Sequence, residues 1–346
     1  MKKIRVLVTG AGSGVGQSIV KALNISKLNL NIISADINEL NAGLYRTKKS
    51  LLIPKIEKKN SLKLIIKILK KNKIDVLFVG SEIEIDFFSR HRDLIYKQAG
   101  TLVSTTNVNV VKIANDKFKS IEFFKNNNIK YPKSFTVSSK SNFNSIYSKV
   151  KKPFILKGRF GTSARSVYLI KDKKDFHNKI SLVNKPMIQE YLGKKNRFFD
   201  EEFTCSVFTG KNKELIGPFM AQRILKHGTS WITKTYRNND LKKLMIKISR
   251  KINNEGTINV QFKKHKGNFI PFEINSRFSG TTCIRAAMGF NEPELYIKSF
   301  YLKKNIVNKK ISEGIVFRYI EEIFLKTSKI SKLKKNFSKG LIKKWF

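Results

Sequence analysis

The chain has 346 residues, enough for two or three domains around a sizeable core, and its 41% hydrophobic and 27% charged content suits a soluble globular protein. Lys plus Arg total 70 against 25 for Asp plus Glu, a formal charge of +45, an excess that attracts nucleic acid, anionic lipid or small anions. The lysines are spread along the whole chain with abundant Asn and Ile, as a codon bias toward AAA, AAT and ATA produces, and no recognised nucleic-acid motif accompanies them. No specific nucleic-acid partner is expected.

Residues 4–9 form a buried-strand pattern, followed by a glycine loop over residues 10–16 and a helix from about 17 to 23. Residues 30–35 read as a second strand ending at Asp36, 61–71 as a helix, 74–80 as a third strand, and 101–104 as a closing one. Strand and helix in alternation predict a parallel sheet with helices on both faces. Residues 108–127 read as one long helix containing Asn115, Asp116 and Lys117. After Pro132 the pattern mixes strands and helices. Strands are expected at 133–137, 153–157, 166–170, 187–191, 202–208, 215–224 and 231–236, and helices at 142–149, 173–180 and 240–253. This middle region is α+β.

Only Cys205 and Cys283 are present, so no disulfide framework is suggested and a cytoplasmic location is expected. The four histidines have no metal-ligand spacing. The opening apolar run is short and ends in glycine, so it reads as a first strand and not a signal peptide, and no segment approaches the roughly 20 apolar residues of a membrane span. In the last 21 residues, Ile330, Leu333, Phe337, Leu341 and Trp345 recur between lysines at near-helical spacing. A basic amphipathic helix of this kind can lie weakly on an anionic membrane. Gly340 interrupts the pattern, so a solvated or frayed tail is the favoured reading.

The first glycine loop follows a strand and opens a helix, and Asp36 ends the next strand, which together form a fair dinucleotide fingerprint. Tyr147 and Lys151 even supply the YxxxK of a short-chain dehydrogenase, with Ser134 upstream. Lys152-Pro153 follows at once, however, and a residue before proline is pushed out of helix. Lys151 is therefore expected at or beyond the helix end, off the face that Tyr147 would need.

The second glycine loop runs from Lys157 and Gly158 through Arg159 to Gly161, Thr162 and Ser163, between two strands. Its backbone N–H groups can fold over phosphates with Lys157 as a point charge. It lacks the GxxxxGK[ST] pattern of a P-loop. Gln189, Glu190, Tyr191 and Leu192 then read as strand passing into a linker whose backbone can pair with an adenine edge. Glu202 opens the next strand, placed to accept from ribose hydroxyls.

The most informative stretch is 260–285. It reads as a hairpin with Gln261 on one strand and Glu273 and Asn275 on the next, followed by Arg277 and the turn 279–282. Phe272 and Ile274 alternate with Glu273 and Asn275, so a carboxylate and an amide are expected side by side on one face, about 7 Å apart. Few oxygen ligands with open positions for phosphates suit magnesium, and an arginine beyond them can fork onto a phosphoryl oxygen.

With these motifs in this order, residues 1–320 resemble the ATP-grasp superfamily, in particular the carbamoyl-phosphate synthase large-subunit-like branch and its single-copy relatives. The run EINSRFSG is the most specific element. The resemblance implies a Rossmann-like α/β pre-ATP-grasp domain over 1–107, a two-lobed α+β ATP-grasp domain over 108–304, and a C-terminal strand and basic tail over 305–346. It implies that Lys117 and Lys157 contact nucleotide phosphates under the loop of Gly158, Gly161, Thr162 and Ser163. Gln189 to Leu192 would hold adenine, and Glu202 ribose. Gln261, Glu273 and Asn275 would bind one or two magnesium ions, with manganese as a substitute. Arg277 would face the transferred phosphoryl group, with Arg223 and Ser230 as weaker candidates. Gln261 stands where many relatives carry an acid. The implied chemistry is ATP-dependent ligation of a carboxylate to an amine or another nucleophile through an acyl phosphate, with an amino acid or envelope precursor as substrate; a short-chain-type dehydrogenase and a non-catalytic nucleotide-binding module are the alternative readings. The loop 10–16, Ser81 and Glu82 would face the acceptor. The sequence leaves the oligomeric state open, with a homodimer among the assemblies it allows.

Overall fold

The computed structural model describes residues 3–137, 140–161, 166–192, 201–320 and 338–339. Among these residues three sheets form. The first is built from β1 (Ile4–Val8), β2 (Leu30–Asp36), β3 (Lys49–Leu52), β4 (Val76–Phe78) and β5 (Leu102–Val103), all parallel, in the order β3-β2-β1-β4-β5. Helices α1 (Gly14–Ile25), α2 (Ser61–Asn72) and α3 (Ile85–Ala99) connect the strands. The tail adds Ser338–Lys339 antiparallel to β3, and the rest of the amphipathic C-terminal pattern lies outside the described residues. No helix among the described residues is long and apolar enough to cross a membrane.

Period-2 alternation sorts the sheet's side chains to two faces. Leu7, Ile33 and Leu77 pack under α2 and α3 with Ile65, Leu69 and Phe88. Val6, Val8 and Phe78 meet Ile19 and Leu23 of α1 on the other face. That second core does not stop at α1. It continues through Ile284 and Met288 of the helical segment after residue 281 to Phe208 and Phe219 of another sheet, so the two halves of the molecule share one apolar layer. Four side-chain bonds pin the same junction. Ser18 Oγ accepts from Cys283 N at 2.8 Å, Asn291 Nδ2 donates to Ala22 O at 2.7 Å, and the hydroxyls of Tyr296 and Tyr301 reach Val103 O and Asp75 Oδ1, each at 2.8 Å.

The long helix expected over 108–127 is two helices, α4 (Val108–Asn115) and α5 (Lys117–Asn126). Asp116 is extended, at φ −107° and ψ 108°, and its carboxylate accepts the N–H groups of Phe118 and Lys119. A capping side chain satisfies donors at a new helix start, which the helical path would have left satisfied without it. The break re-aims Lys117 to the first position of α5.

The second sheet is small and antiparallel, ordered β6 (Ser134–Thr136), β9 (Pro186–Glu190), β7 (Phe154–Gly158), β8 (Val167–Ile170), with α6 (Lys140–Lys149) and α7 (Lys173–Lys179) between its strands. Phe154, Leu156, Ile170 and Ile188 are its core.

The third sheet runs β14 (Asn268–Asn275), β13 (Gly256–His265), β10 (Glu202–Thr209), β11 (Leu215–Lys226), β12 (Thr229–Thr235), β15 (Ile315–Phe317), all antiparallel. Lys266 and Gly267 both have positive φ, +47° and +77°, the two-residue turn that matches strand twist and closes the β13–β14 hairpin. Helix α8 (Asn239–Ile252) buries Leu241, Met245, Ile248 and Ile252 against Phe203, Cys205, Val260 and Phe262 on one face of this sheet. Each such side chain contributes roughly 1.5–3 kcal/mol of burial. The opposite face of β10 and β13 is polar where it leaves the shared core. Two short helices, α9 (Thr282–Ala287) and α10 (Glu292–Tyr296), follow β14.

Candidate active site

The polar face is a grid set by strand register. Glu202 lies opposite Lys263, Thr204 opposite Gln261, and Ser206 opposite Asn259 across β10 and β13. Across β13 and β14, Gln261 lies opposite Glu273 and Asn259 opposite Asn275. Gln261, Glu273 and Asn275 are thus neighbours on one floor, and Asn275 Nδ2 stands 3.4 Å from Glu273 Oε1. Thr204 Oγ1 donates to Asn259 Oδ1 at 2.8 Å and ties the floor to β10.

Strict alternation along β14 is not observed. The register shifts between Gln261 and Phe262, so Phe262 faces Pro271, Gln261 faces Glu273, and Phe272 is the extra residue of a β-bulge. Phe272 was expected to alternate away from Glu273. Instead its half-buried ring lies 5.6 Å below the ammonium of Lys157, which also feels the Glu273 carboxylate.

Lys157 sits at the end of β7 in the small sheet and is buried, at 5% exposure. Its Nζ donates to Gln189 Oε1 at 2.9 Å, and Gln189 Nε2 reaches Ser134 Oγ at 3.1 Å. Burial pulls the Lys157 pKa down to about 8, Lys117 pushes the same way, and Glu273 and Glu202 work against the shift. Lys117 donates its Nζ to Gly161 O at 2.6 Å and its backbone N–H to Arg159 O at 2.9 Å. Arg159 in turn grips Asp116, at 3.2 and 2.5 Å. The second glycine loop is therefore docked on the start of α5. Gly161 has φ +98°, in the left-handed range that favours glycine. Gly158 joins Lys157 at the strand end, and Thr162 and Ser163 lie outside the described residues.

Glu190 ends β9, and its Oε2 accepts the N–H of Lys133 at 3.1 Å, so this carboxylate serves the strand pair rather than pointing freely outward. Tyr191 is half-buried and Leu192 buried immediately beyond. Glu202 is buried between two cations. Its Oε1 accepts from Arg223 at 2.5 and 3.0 Å and its Oε2 pairs with Lys263 at 2.9 Å. Burial raises its pKa, but Arg223 and then Lys263 outweigh burial, and the carboxyl ends below its ordinary value. Arg223 also reaches Ser230 Oγ at 3.3 Å. Arg277 does not face open space. Its guanidinium pairs with Glu82 of the first sheet's outer loop and donates to Phe278 O at 3.0 Å. That contact brings the loop after β4 to the same end of the floor.

The first glycine loop has a packing role. A Cβ on Gly12 would lie 2.3 Å from the side chain of Asn41, which fills that space. Asp36 Oδ2 accepts the N–H of Gly12 at 2.7 Å, and Oδ1 takes Ile37 N and Asn41 Nδ2, each at 2.7 Å. The acid of the dinucleotide fingerprint is thus folded into its own loop. Tyr147 lies in α6, at 5.9 Å from the ring of Phe154, whereas Lys151 falls beyond the helix end at Lys149. The YxxxK geometry is not formed.

Among the described residues, no group of three or more His, Cys, Asp and Glu is clustered as a metal site. The floor offers one carboxylate and two amides instead. That hard-oxygen set suits magnesium, which takes one or two carboxylates and completes its shell with phosphates and water. Sequence reasoning overlooked Thr204, Asn259 and Lys263. Asn259 and Lys263 were within reach, because each lies two residues from Gln261 and strand period places them on its face.

Comparison with known proteins agrees with this architecture. Residues 185–323 match the family described as ATP-grasp in the biosynthetic pathway with Ter operon, and residues 6–103 match the PylC-like N-terminal domain. No curated protein matches the sequence. Among solved structures, N5-carboxyaminoimidazole synthetase from Staphylococcus aureus complexed with ADP is similar at TM-score 0.70 and 17% identity, over 90% of this chain and 81% of that one. The biotin carboxylase domain of the Hydrogenobacter thermophilus 2-oxoglutarate carboxylase, in complex with MgADP, ADP and bicarbonate, has TM-score 0.71 and 12% identity, over 90% and 73%. L-amino acid ligase from Bacillus licheniformis has TM-score 0.66 and 10% identity, over 86% and 74%. At these identities the likeness establishes the fold.

Proposed function

We propose that this chain, an ATP-grasp protein by its fold and by the family model over residues 185–323, is an ADP-forming ligase that joins a carboxylate to an amine. The observation that carries the reading is the meeting of Lys157, from the small sheet, with the Gln261–Glu273–Asn275 floor of the large one. A buried ammonium beside an oxygen-rich floor suits a triphosphate held between two lobes. Magnesium on Gln261, Glu273 and Asn275 would neutralise phosphoryl charge and fix the triphosphate's orientation.

The remaining roles belong to the chain itself. Lys157 and Lys117 bind phosphoryl oxygens, and the loop through Gly161 closes over them and excludes water. The backbone of 189–192 receives the adenine edge. Glu202, held rigid by Arg223 and Lys263, retains lone pairs for ribose hydroxyls. A substrate carboxylate oxygen attacks the γ-phosphorus, the bond to the bridging oxygen breaks, and ADP leaves with that electron pair. The amine then attacks the acyl carbon, the carbon–oxygen bond to phosphate breaks, and phosphate departs as the amine loses a proton. Arg277 steadies the transferred phosphoryl group once it exchanges Glu82 for it. Ser81, Glu82 and the outer loops of the first sheet face the acceptor. No His or Cys constellation is required, because positioning and charge stabilisation supply the catalysis. The two unpaired cysteines are compatible with a reducing cytoplasm.

Screening amino acids and cell-envelope precursors, as carboxylate and amine pairs, for substrate-dependent ADP release tests the reading. Turnover with one pair, abolished in Glu273→Ala, is expected. Substrate-dependent ADP release that persists undiminished in Glu273→Ala would refute it.

A further inference from the structure

The end of the first sheet remote from the Gly10 turn carries a cationic cavity that the ligase reading does not use. On the face covered by α2, Leu7, Ile33, Ala35 and Leu51 build the core. Toward the starting ends of the strands the apolar pattern stops. Strand alternation continues the same face with Arg5, Asn31 and Lys49. Together with Lys71 and Lys73 from the end of α2, these residues line a concave cavity of about 300 Å³ with Ile33 as part of its wall.

No carboxylate lines this cavity among the described residues, and Arg5, Lys71 and Lys73 form no ion pair among them. Asp75 is adjacent in the fold, but its oxygens accept the backbone N–H of Arg5 and the hydroxyl of Tyr301, each at 2.8 Å. The lysines are not needed to cap α2. Ile68 O is taken by Asn72 Nδ2 at 2.8 Å, and Leu69 O and Lys70 O by the N–H groups of Ile74 and Lys73. Burial, and then Arg5 and Lys71, hold the Lys49 ammonium below the usual lysine range. Position 339, in register with Lys49, is again lysine. Like charges gathered in one concavity repel each other, and a multiply charged anion inside it relieves the repulsion. Arg5, Lys71 and Lys73, with the side-chain amide of Asn31, match a ligand with several oxygens and more than one negative charge, as phosphoryl groups have.

We infer that this cavity is a second anion site, separate from the nucleotide cleft, that takes a phosphoryl-bearing group of either a free metabolite or an anionic lipid headgroup. The test uses the full chain and titrates inorganic pyrophosphate by calorimetry, with cosedimentation on phosphatidylglycerol vesicles as a second arm. The double variant Lys71→Gln/Lys73→Gln removes two exposed charges at the cavity. Lys242→Gln/Lys243→Gln removes two exposed charges from α8 and controls for the overall charge of +45. Lys157→Met controls for the nucleotide cleft. Pyrophosphate binding that falls about tenfold in the cavity variant alone supports the site with a free ligand. Vesicle binding that falls in the cavity variant alone, without pyrophosphate uptake, supports it with a headgroup. Equal losses in both charge variants, loss in Lys157→Met alone, or no binding in either arm would overturn it.

Discussion

The ammonium of Lys157 stands 5.6 Å over the ring of Phe272, and a β-bulge in β14 turns that ring toward it. A lysine from one lobe is thereby buried against a strand of the other. Burial holds its pKa at about 8, against 10.5 for an ordinary lysine. A depressed folded pKa means stability that is present above the unfolded value and lost as pH falls through 8. At pH 7 the charged Lys157 should therefore cost the nucleotide-free protein up to roughly 3 kcal/mol. Lys157→Met is predicted to raise the denaturation midpoint at pH 7 and to do so less at pH 9.5, while weakening nucleotide binding. Denaturant titrations at both pH values measure this; a destabilised variant at pH 7 would contradict it.

Glu84 has the opposite linkage. It is buried behind the first glycine loop and accepts from Thr9 Oγ1 at 2.6 Å. Burial raises its pKa to about 7, the Thr9 bond opposes that rise, and Asp36 and Glu57 add to it. Its folded pKa exceeds the unfolded value, so its contribution is present below about 4.5 and lost as pH rises through 7. Glu84→Gln is predicted to stabilise the protein at pH 8 by roughly 2–3 kcal/mol and to change it little at pH 4.5. Thermal unfolding across that range checks the slope.

Arg223 and Glu202 need a double-mutant cycle. Removing Arg223 leaves a buried carboxylate with Lys263 alone, at a cost of roughly 3–5 kcal/mol. Arg223→Ala should lower activity through lost stability even if Arg223 touches no substrate. Adding Glu202→Gln to Arg223→Ala should recover more than half of that single variant's loss in chemical denaturation. Additive losses would show that the pair is not coupled.

Gln261 faces Glu273 across the hairpin and contributes an uncharged oxygen to the floor. Gln261→Glu adds a second carboxylate at the same reach. The magnesium concentration that half-saturates nucleotide binding is predicted to fall several-fold, because hard cations bind more tightly as ligand charge rises. Calorimetric titration of magnesium at fixed nucleotide measures it, and an unchanged or weaker requirement would argue against metal at this position.

The order of elements was legible because each strand carries an apolar run and each glycine loop follows one. The parallel sheet and the β13–β14 hairpin follow directly from those local signals. Asp116 was hidden inside a helical pattern, since capping depends on where the helix begins and not on periodicity alone. The bulge at Phe272 was invisible because it is a mismatch in length between two strands, and the sequence of β14 read alone alternates straight through it. The Arg277–Glu82 pair joins residues 195 apart in the chain, whereas Arg223 and Glu202 meet across the neighbouring strands β10 and β11, whose register had to be known first. Which carboxylate an arginine finds is a property of tertiary packing. The dinucleotide fingerprint at Gly12 and Asp36 was locally sound, but the Asp36 carboxylate is taken up by Gly12 N, Ile37 N and Asn41 Nδ2 of its own loop.

On the reading proposed above, Gln261, Glu273 and Asn275 would hold the divalent metal that a triphosphate needs beside Lys157. Calorimetry of ATP binding with and without magnesium, on the native chain and on Glu273→Ala, tests it most directly. Saturable ATP uptake that requires magnesium and falls at least tenfold in Glu273→Ala is the predicted result. ATP binding that is indifferent to both magnesium and Glu273 would contradict it.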